Sequence, residues 1–142
     1  MLLILSFNLP LPSCPSYPVK SGTPDCYSEV YTALFEWRRV LASTGKLLIS
    51  VPDIQVLTRL FIQTNITLRE KSMLQNIIYG GQNTEHDFHK TGFYQEFLEL
   101  FLHQAGFCNV TRVKNFGMFE DTSMITFHKQ SISLNVIAHA CK

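Results

Sequence analysis

The segment from Tyr31 to Asp53, YTALFEWRRVLASTGKLLISVPD, most constrains what this chain can fold into, because it joins two different apolar periodicities across one turn. On the helical side, Val30, Leu34, Trp37 and Leu41 fall on one stripe, with Ala33 and Val40 alongside. This predicts an amphipathic helix over residues 27–41. Asp25 and Ser28 are alternative caps for its start. Gly45 suits the turn that ends it. Residues 46–51 then form a near-continuous apolar run through Leu47, Leu48, Ile49 and Val51, the pattern of a strand covered on both faces of a parallel sheet. Pro52 ends that strand because proline cannot donate to the ladder.

Further elements follow in turn. A helix is expected over 53–61, with Asp53 as its cap and Val56, Leu57, Leu60 and Phe61 inward. A second, introduced by Thr67, covers 68–79, and Gly80-Gly81-Gln82-Asn83 breaks the chain after it. Phe93, Phe97, Leu98, Phe101 and Leu102 share a face over 93–105, and Gly106 stops that helix. Residues 108–116 read as a strand, with extended segments at 124–127 and 132–137. The order is that of an α/β fold. The last strands have no crossover helix between them and are expected to pair antiparallel. Residues 1–26 stand apart as a Pro-rich, irregular tail, carrying Pro10, Pro12, Pro15, Pro18 and Pro24. Within the tail, 2–7 is apolar but too short to assign a type. Residues 27–142 then form the domain.

A length of 142 residues fits one domain, and 46% hydrophobic against 16% charged residues allows a real core. The net charge of +1 makes no electrostatic case for nucleic acid or an anionic membrane as partner. The apolar N-terminal run is shorter than the about 20 residues a membrane helix needs. Cys14, Cys26, Cys108 and Cys141 show no Cys-x-x-Cys spacing. Reduced, unpaired thiols and a cytoplasmic location are the expectation from that usage.

Three stretches together resemble the S-adenosylmethionine-dependent methyltransferases of the type 11 group. The first is Glu36-Trp37-Arg38-Arg39-Val40-Leu41 followed by Gly45-Lys46-Leu47-Leu48-Ile49-Ser50-Val51-Pro52-Asp53. The second is Asp87-Phe88-His89-Lys90 with Gly92-Phe93, Phe97-Leu98 and Ala105-Gly106-Phe107. The third is the tail Ile132 to Ala138. The resemblance covers about 27–142 and corresponds to the C-terminal half of such a domain. It implies a partial Rossmann-like methyltransferase sheet with an antiparallel terminal strand pair. It also implies S-adenosylmethionine as cofactor and methyl transfer to a small-molecule acceptor such as a sugar or other metabolite. The glycine-rich strand-to-helix loop that would hold that cofactor has no counterpart, since Gly22 is the only glycine before Gly45. No cofactor-binding residue is therefore assigned, and the domain is expected to be truncated and weak or inactive alone. The alternative is a non-catalytic, methyltransferase-derived interaction module, self-associating through an open sheet edge beside strand 46–51 unless residues 2–7 fill that edge.

Within that resemblance His89 is the candidate general base, because imidazole titrates near neutrality. Its alternative is a loop histidine capping the helix that begins near Phe93. His86, Tyr79 and Gln82 are candidates to line an acceptor pocket, although Gly80-Gly81 equally marks a plain turn. Asp53 lies beyond the carboxyl end of the buried strand, where open α/β sheets bind ligands, or else simply caps a helix. No metal is expected, because no further ligand pair completes a set with His86-x-x-His89.

Overall fold

A computed structural model describes the backbone of residues 2–6, 27–84, 87–89, 91–118 and 120–141, with side chains from 27 onward except Ser28. Strand β1 (Leu2–Ser6) precedes helix α1 (Ser28–Val40), strand β2 (Lys46–Pro52) and helices α2 (Ile54–Phe61), α3 (Leu68–Tyr79) and α4 (Gln95–Gln104). Strand β3 (Phe107–Val113), a 3-10 turn (Thr122–Met124), the short strands β4 (Thr126–Phe127) and β5 (Gln130–Ser131), and strand β6 (Ser133–Ala140) complete the order. Within the segment expected to be an irregular tail, 2–6 is thus a strand, and 7–26 lies outside the described residues.

Four strands form one sheet in the order β1-β2-β6-β3. β1 runs parallel to β2, from Leu2 opposite Lys46 to Ser6 opposite Ser50. β6 runs antiparallel to β2, from Lys46 opposite His139 to Pro52 opposite Ser133. It is also antiparallel to β3, with a register shift between Cys108 and Thr111 where Asn109 takes φ 46°. The one extra residue there is a bulge, which bends the edge strand. β4 and β5 form a separate antiparallel hairpin.

Side chains alternate between the faces of a strand. Leu47, Ile49 and Val51 therefore share a face with their partners Ala138, Val136 and Leu134. That face packs with Val30 and Leu34 of α1 and with Leu98, Phe101 and Leu102 of α4, all buried. Phe101 is the hub: its ring centroid lies 4.5 Å from Tyr31, 4.8 Å from Phe97 and 5.6 Å from Tyr27. Burying side chains of this size contributes about 1.5–3 kcal/mol each. A second cluster joins Leu57 and Leu60 of α2, Leu74 of α3, and Ile66, Phe127 and Ile132. The other face of the sheet carries Ser50, Ser133 and Asn135, polar yet buried.

The expected partial Rossmann-like methyltransferase sheet is corrected by this topology. Only the β1–β2 pairing is parallel; β6 lies between β2 and β3 and runs against both. The cause is connection length. β3 reaches β6 through a 3-10 turn and a tight hairpin, with no crossover helix to return the chain in the same direction. The result is a small α/β domain with a mixed sheet. The edge beside 46–51 is not open: β1, the 2–7 segment named as its possible cover, lies on one side of β2 and β6 on the other.

Candidate functional site

Where β2 and β6 meet α3 and the loop after it, the fold leaves a cavity of about 370 Å³. Its size falls within the range of small-molecule sites. Ser50, Val51 and Pro52 supply the floor from the end of β2, and Ile132 and Ser133 from the start of β6. Ile77 enters from α3, Thr122 and Ile125 from the 3-10 turn, and Asp87 and His89 from the loop.

The loop owes its shape to its glycines. Gly80 takes φ 85°, and a Cβ there would lie 2.1 Å from the Asp87 carbonyl oxygen. At Gly81 a Cβ would lie 2.6 Å from Asp87 Oδ2. With both positions clear, the chain folds back on itself: the Gln82 N–H donates to the Asp87 carbonyl (3.1 Å) and the His89 N–H to the Tyr79 carbonyl (2.9 Å). Asp87 Oδ2 accepts long bonds from the Asn83 backbone (3.4 Å) and side chain (3.3 Å). His89 is then fixed by its own ring, since Nδ1 lies 2.9 Å from the Ile77 carbonyl oxygen. A carbonyl can only accept, so Nδ1 carries the proton and Nε2 of the neutral ring is an acceptor.

Across the cavity the hydroxyls are chained. Ser133 donates to the Thr122 carbonyl (2.6 Å), and Thr122 Oγ1 lies 3.4 Å from Ser50 Oγ. Behind them, Asn135 donates both amide hydrogens, to the Lys114 and Ser123 carbonyls at 2.8 Å each. Its Oδ1, like Oδ2 of Asp121, is a buried acceptor with no partner among the described residues.

The other sequence candidates separate. Asp53 is 1% exposed. Its Oδ1 accepts from the Gln55 and Val56 backbones (3.0 and 3.2 Å), capping α2, and its Oδ2 accepts from Arg112 at 2.6 Å. Both oxygens therefore serve the fold. Tyr79 is 54% exposed and faces a second hollow of about 290 Å³ between α2 and α3, with Thr58, Phe61, Gln75 and Ile78. Gln82 is exposed in the turn at φ 55°. His86 lies outside the described residues. The structure thus brings His89 and Asp87 together with Ser50, Thr122 and Ser133, three hydroxyl residues that the sequence analysis did not single out. Ser50 did carry a signal, as a lone hydroxyl within an otherwise apolar strand run.

A cysteine pair lies apart from the cavity. Cys108 and Cys141 are disulfide-bonded, with Cα atoms 5.7 Å apart, which corrects the expectation that these two thiols stay unpaired. The bulged β3 edge and the end of β6 place them within bonding reach. Among the described residues, no group of three or more His, Cys, Asp or Glu side chains could hold a metal ion, and no helix is long and apolar enough to cross a membrane.

No family model, curated protein or solved structure matches this chain. The resemblance to type 11 methyltransferases is corrected accordingly: a helix, glycine turn and buried strand form a local unit common to many α/β folds. S-adenosylmethionine as cofactor, a methyl-accepting small molecule as partner and a truncated transferase as function fall with it. The described turn from β2 into α2, Pro52-Asp53, has no glycine to admit a nucleotide.

Proposed function

We propose that this domain binds a small molecule in the cavity between β2, β6, α3 and the 122–125 turn, with His89 as its principal hydrogen-bonding group. The single observation that supports this most is the tautomer of His89. Its Nδ1 proton is held by the Ile77 carbonyl, which leaves Nε2 of the neutral ring as an acceptor on a wall where Asp87 and three hydroxyl residues stand among isoleucine, valine and proline. Apolar walls with a few fixed polar groups are the usual form of a ligand site. Among the described residues, His89 is the one sequence candidate that lines this cavity, and it would serve as a base toward any ligand bearing an acidic proton.

The cytoplasmic location expected from unpaired thiols loses that support at Cys108 and Cys141. A structural disulfide fits an oxidising compartment better.

A fragment screen by saturation-transfer NMR tests the binding reading. Ile125 is half exposed at the cavity, so Ile125→Trp fills the space without disturbing the core. Fragments that bind the unaltered chain and lose their signal with Ile125→Trp support the site. Absence of any bound fragment, or binding indifferent to the tryptophan, overturns it.

A further inference from the structure

We infer that the cavity selects a protonated amine carried on a compact apolar body, an inference that rests on the small-molecule reading above. The argument is an account of protons. Asp87 contributes a carboxylate whose Oδ2 takes only long bonds from Asn83 and whose Oδ1 takes neither of them. His89 contributes an acceptor at Nε2. The Ser133 hydroxyl proton is engaged by the Thr122 carbonyl, and the Thr122 hydroxyl donates to Ser50, whose own proton has no acceptor among the described residues. Among the described groups, the carboxylate and imidazole lone pairs therefore outnumber this one hydroxyl proton. The elements behind the wall repeat the imbalance: the buried acceptors Asn135 Oδ1 and Asp121 Oδ2 lack a donor among the described residues.

Among the described residues no lysine or arginine lines the cavity. A ligand carboxylate or phosphate would thus meet a like charge at Asp87 with no cation among the described lining residues to offset it, a strongly unfavourable contact in a partly desolvated site. An ammonium group meets the opposite situation. It brings up to three donors and a positive charge to a carboxylate and an imidazole lone pair, and charge-assisted bonds of this kind are the strong ones. The apolar residues Ile77, Ile125 and Ile132 then cover the rest of such a ligand.

Benzylamine, benzyl alcohol and benzoate share one shape and differ in charge and in the protons they offer. Titration of each into the full chain, followed by amide NMR shifts, is the test. Benzylamine is expected to bind at least tenfold more tightly than benzyl alcohol, with no saturable binding of benzoate. Asp87→Asn is expected to weaken benzylamine at least tenfold and benzyl alcohol by a much smaller factor. Asn83→Ala, which removes the loop contact and keeps the charge, is expected to keep most of the amine affinity.

Equal or tighter binding of the alcohol or benzoate overturns the amine preference while leaving a ligand site in place. So does an amine affinity indifferent to Asp87→Asn, or one lost equally in Asn83→Ala. If none of the three binds, the preference fails, and the fragment screen then decides whether the site fails with it.

Discussion

Asp53 commits each carboxylate oxygen to a different part of the fold. Oδ1 receives two backbone N–H groups at the start of α2, and Oδ2 receives the Arg112 guanidinium from β3. The two roles separate by mutation. Asp53→Asn keeps an oxygen for the cap and loses the ion pair, whereas Asp53→Ala loses both. Loss of the cap alone costs about 1 kcal/mol, and a charge-assisted bond contributes about 1.5–3 kcal/mol. Chemical denaturation should therefore rank the Ala variant below the Asn variant by about 1 kcal/mol. Equal midpoints would show that the cap bond adds nothing.

Glu70 supplies the pH-dependent counterpart at the same scale. Bonds from the Thr67 hydroxyl and backbone, then from His128, lower its carboxyl from 4.5 to about 2. A carboxylate lowered on folding adds stability that is complete above its unfolded value, near 4.5, and is lost as pH falls toward about 2. Glu70→Gln should thus flatten the acid limb of the stability profile between those limits. An unchanged limb would mean that these bonds do not survive in solution.

At the scale of elements, the β4–β5 hairpin carries an unusual turn. Phe127 pairs with Gln130, which leaves His128 and Lys129 as a two-residue loop with φ 48° and 65°. Such turns favour Asn-Gly, because a side chain crowds the backbone at positive φ. His128 has a compensating role, since its Nε2 lies 2.7 Å from Glu70 and ties the hairpin to α3. Among the described residues Lys129 makes no side-chain hydrogen bond or ion pair, so Lys129→Gly should raise stability by about 0.5–1 kcal/mol in thermal unfolding. A loss instead would show that the lysine side chain holds the hairpin.

The elements themselves were largely legible in the sequence. The helices at 28–40, 54–61 and 68–79 follow from their stripes and from caps at Asp53 and Thr67, the latter closing a full capping box with Glu70. The antiparallel pairing of β3 with β6 followed from their short connection; what did not follow was the insertion of β6 between β2 and β3. A continuous apolar run in β2 shows that both faces are covered, but it does not say whether the strand beside it runs with or against it. The cavity was legible only in part for the same reason. His89 lies in a dense local cluster of polar residues, whereas Ser50, Thr122 and Ser133 become one wall only after β6 inserts beside β2.

For the whole molecule, the insertion of β6 makes the C-terminus part of the sheet's closure. Ala140 donates to the Gly45 carbonyl (3.0 Å), joining the end of β6 to the turn that opens β2. The Arg38 guanidinium reaches the carbonyls of Gly106 and Cys141, fastening α1 across the ends of β3 and β6. The Cys108–Cys141 bond closes the same corner covalently, across 33 positions of chain. Closing a loop of that length restricts the unfolded chain by about 3–4 kcal/mol. For a domain of this size that corresponds to a shift of roughly 10 °C in Tm. Reduction with a phosphine should lower the midpoint by that order, and the double substitution Cys108→Ala with Cys141→Ala should reproduce the drop and remove its dependence on reductant. The cavity lies at the opposite end of β2 and β6 from this corner, so ligand affinity well below the midpoint should not change with reduction. A reductant-dependent affinity at that temperature would mean that the corner and the cavity move together, and that β6 transmits along its length what the cysteines do at its end.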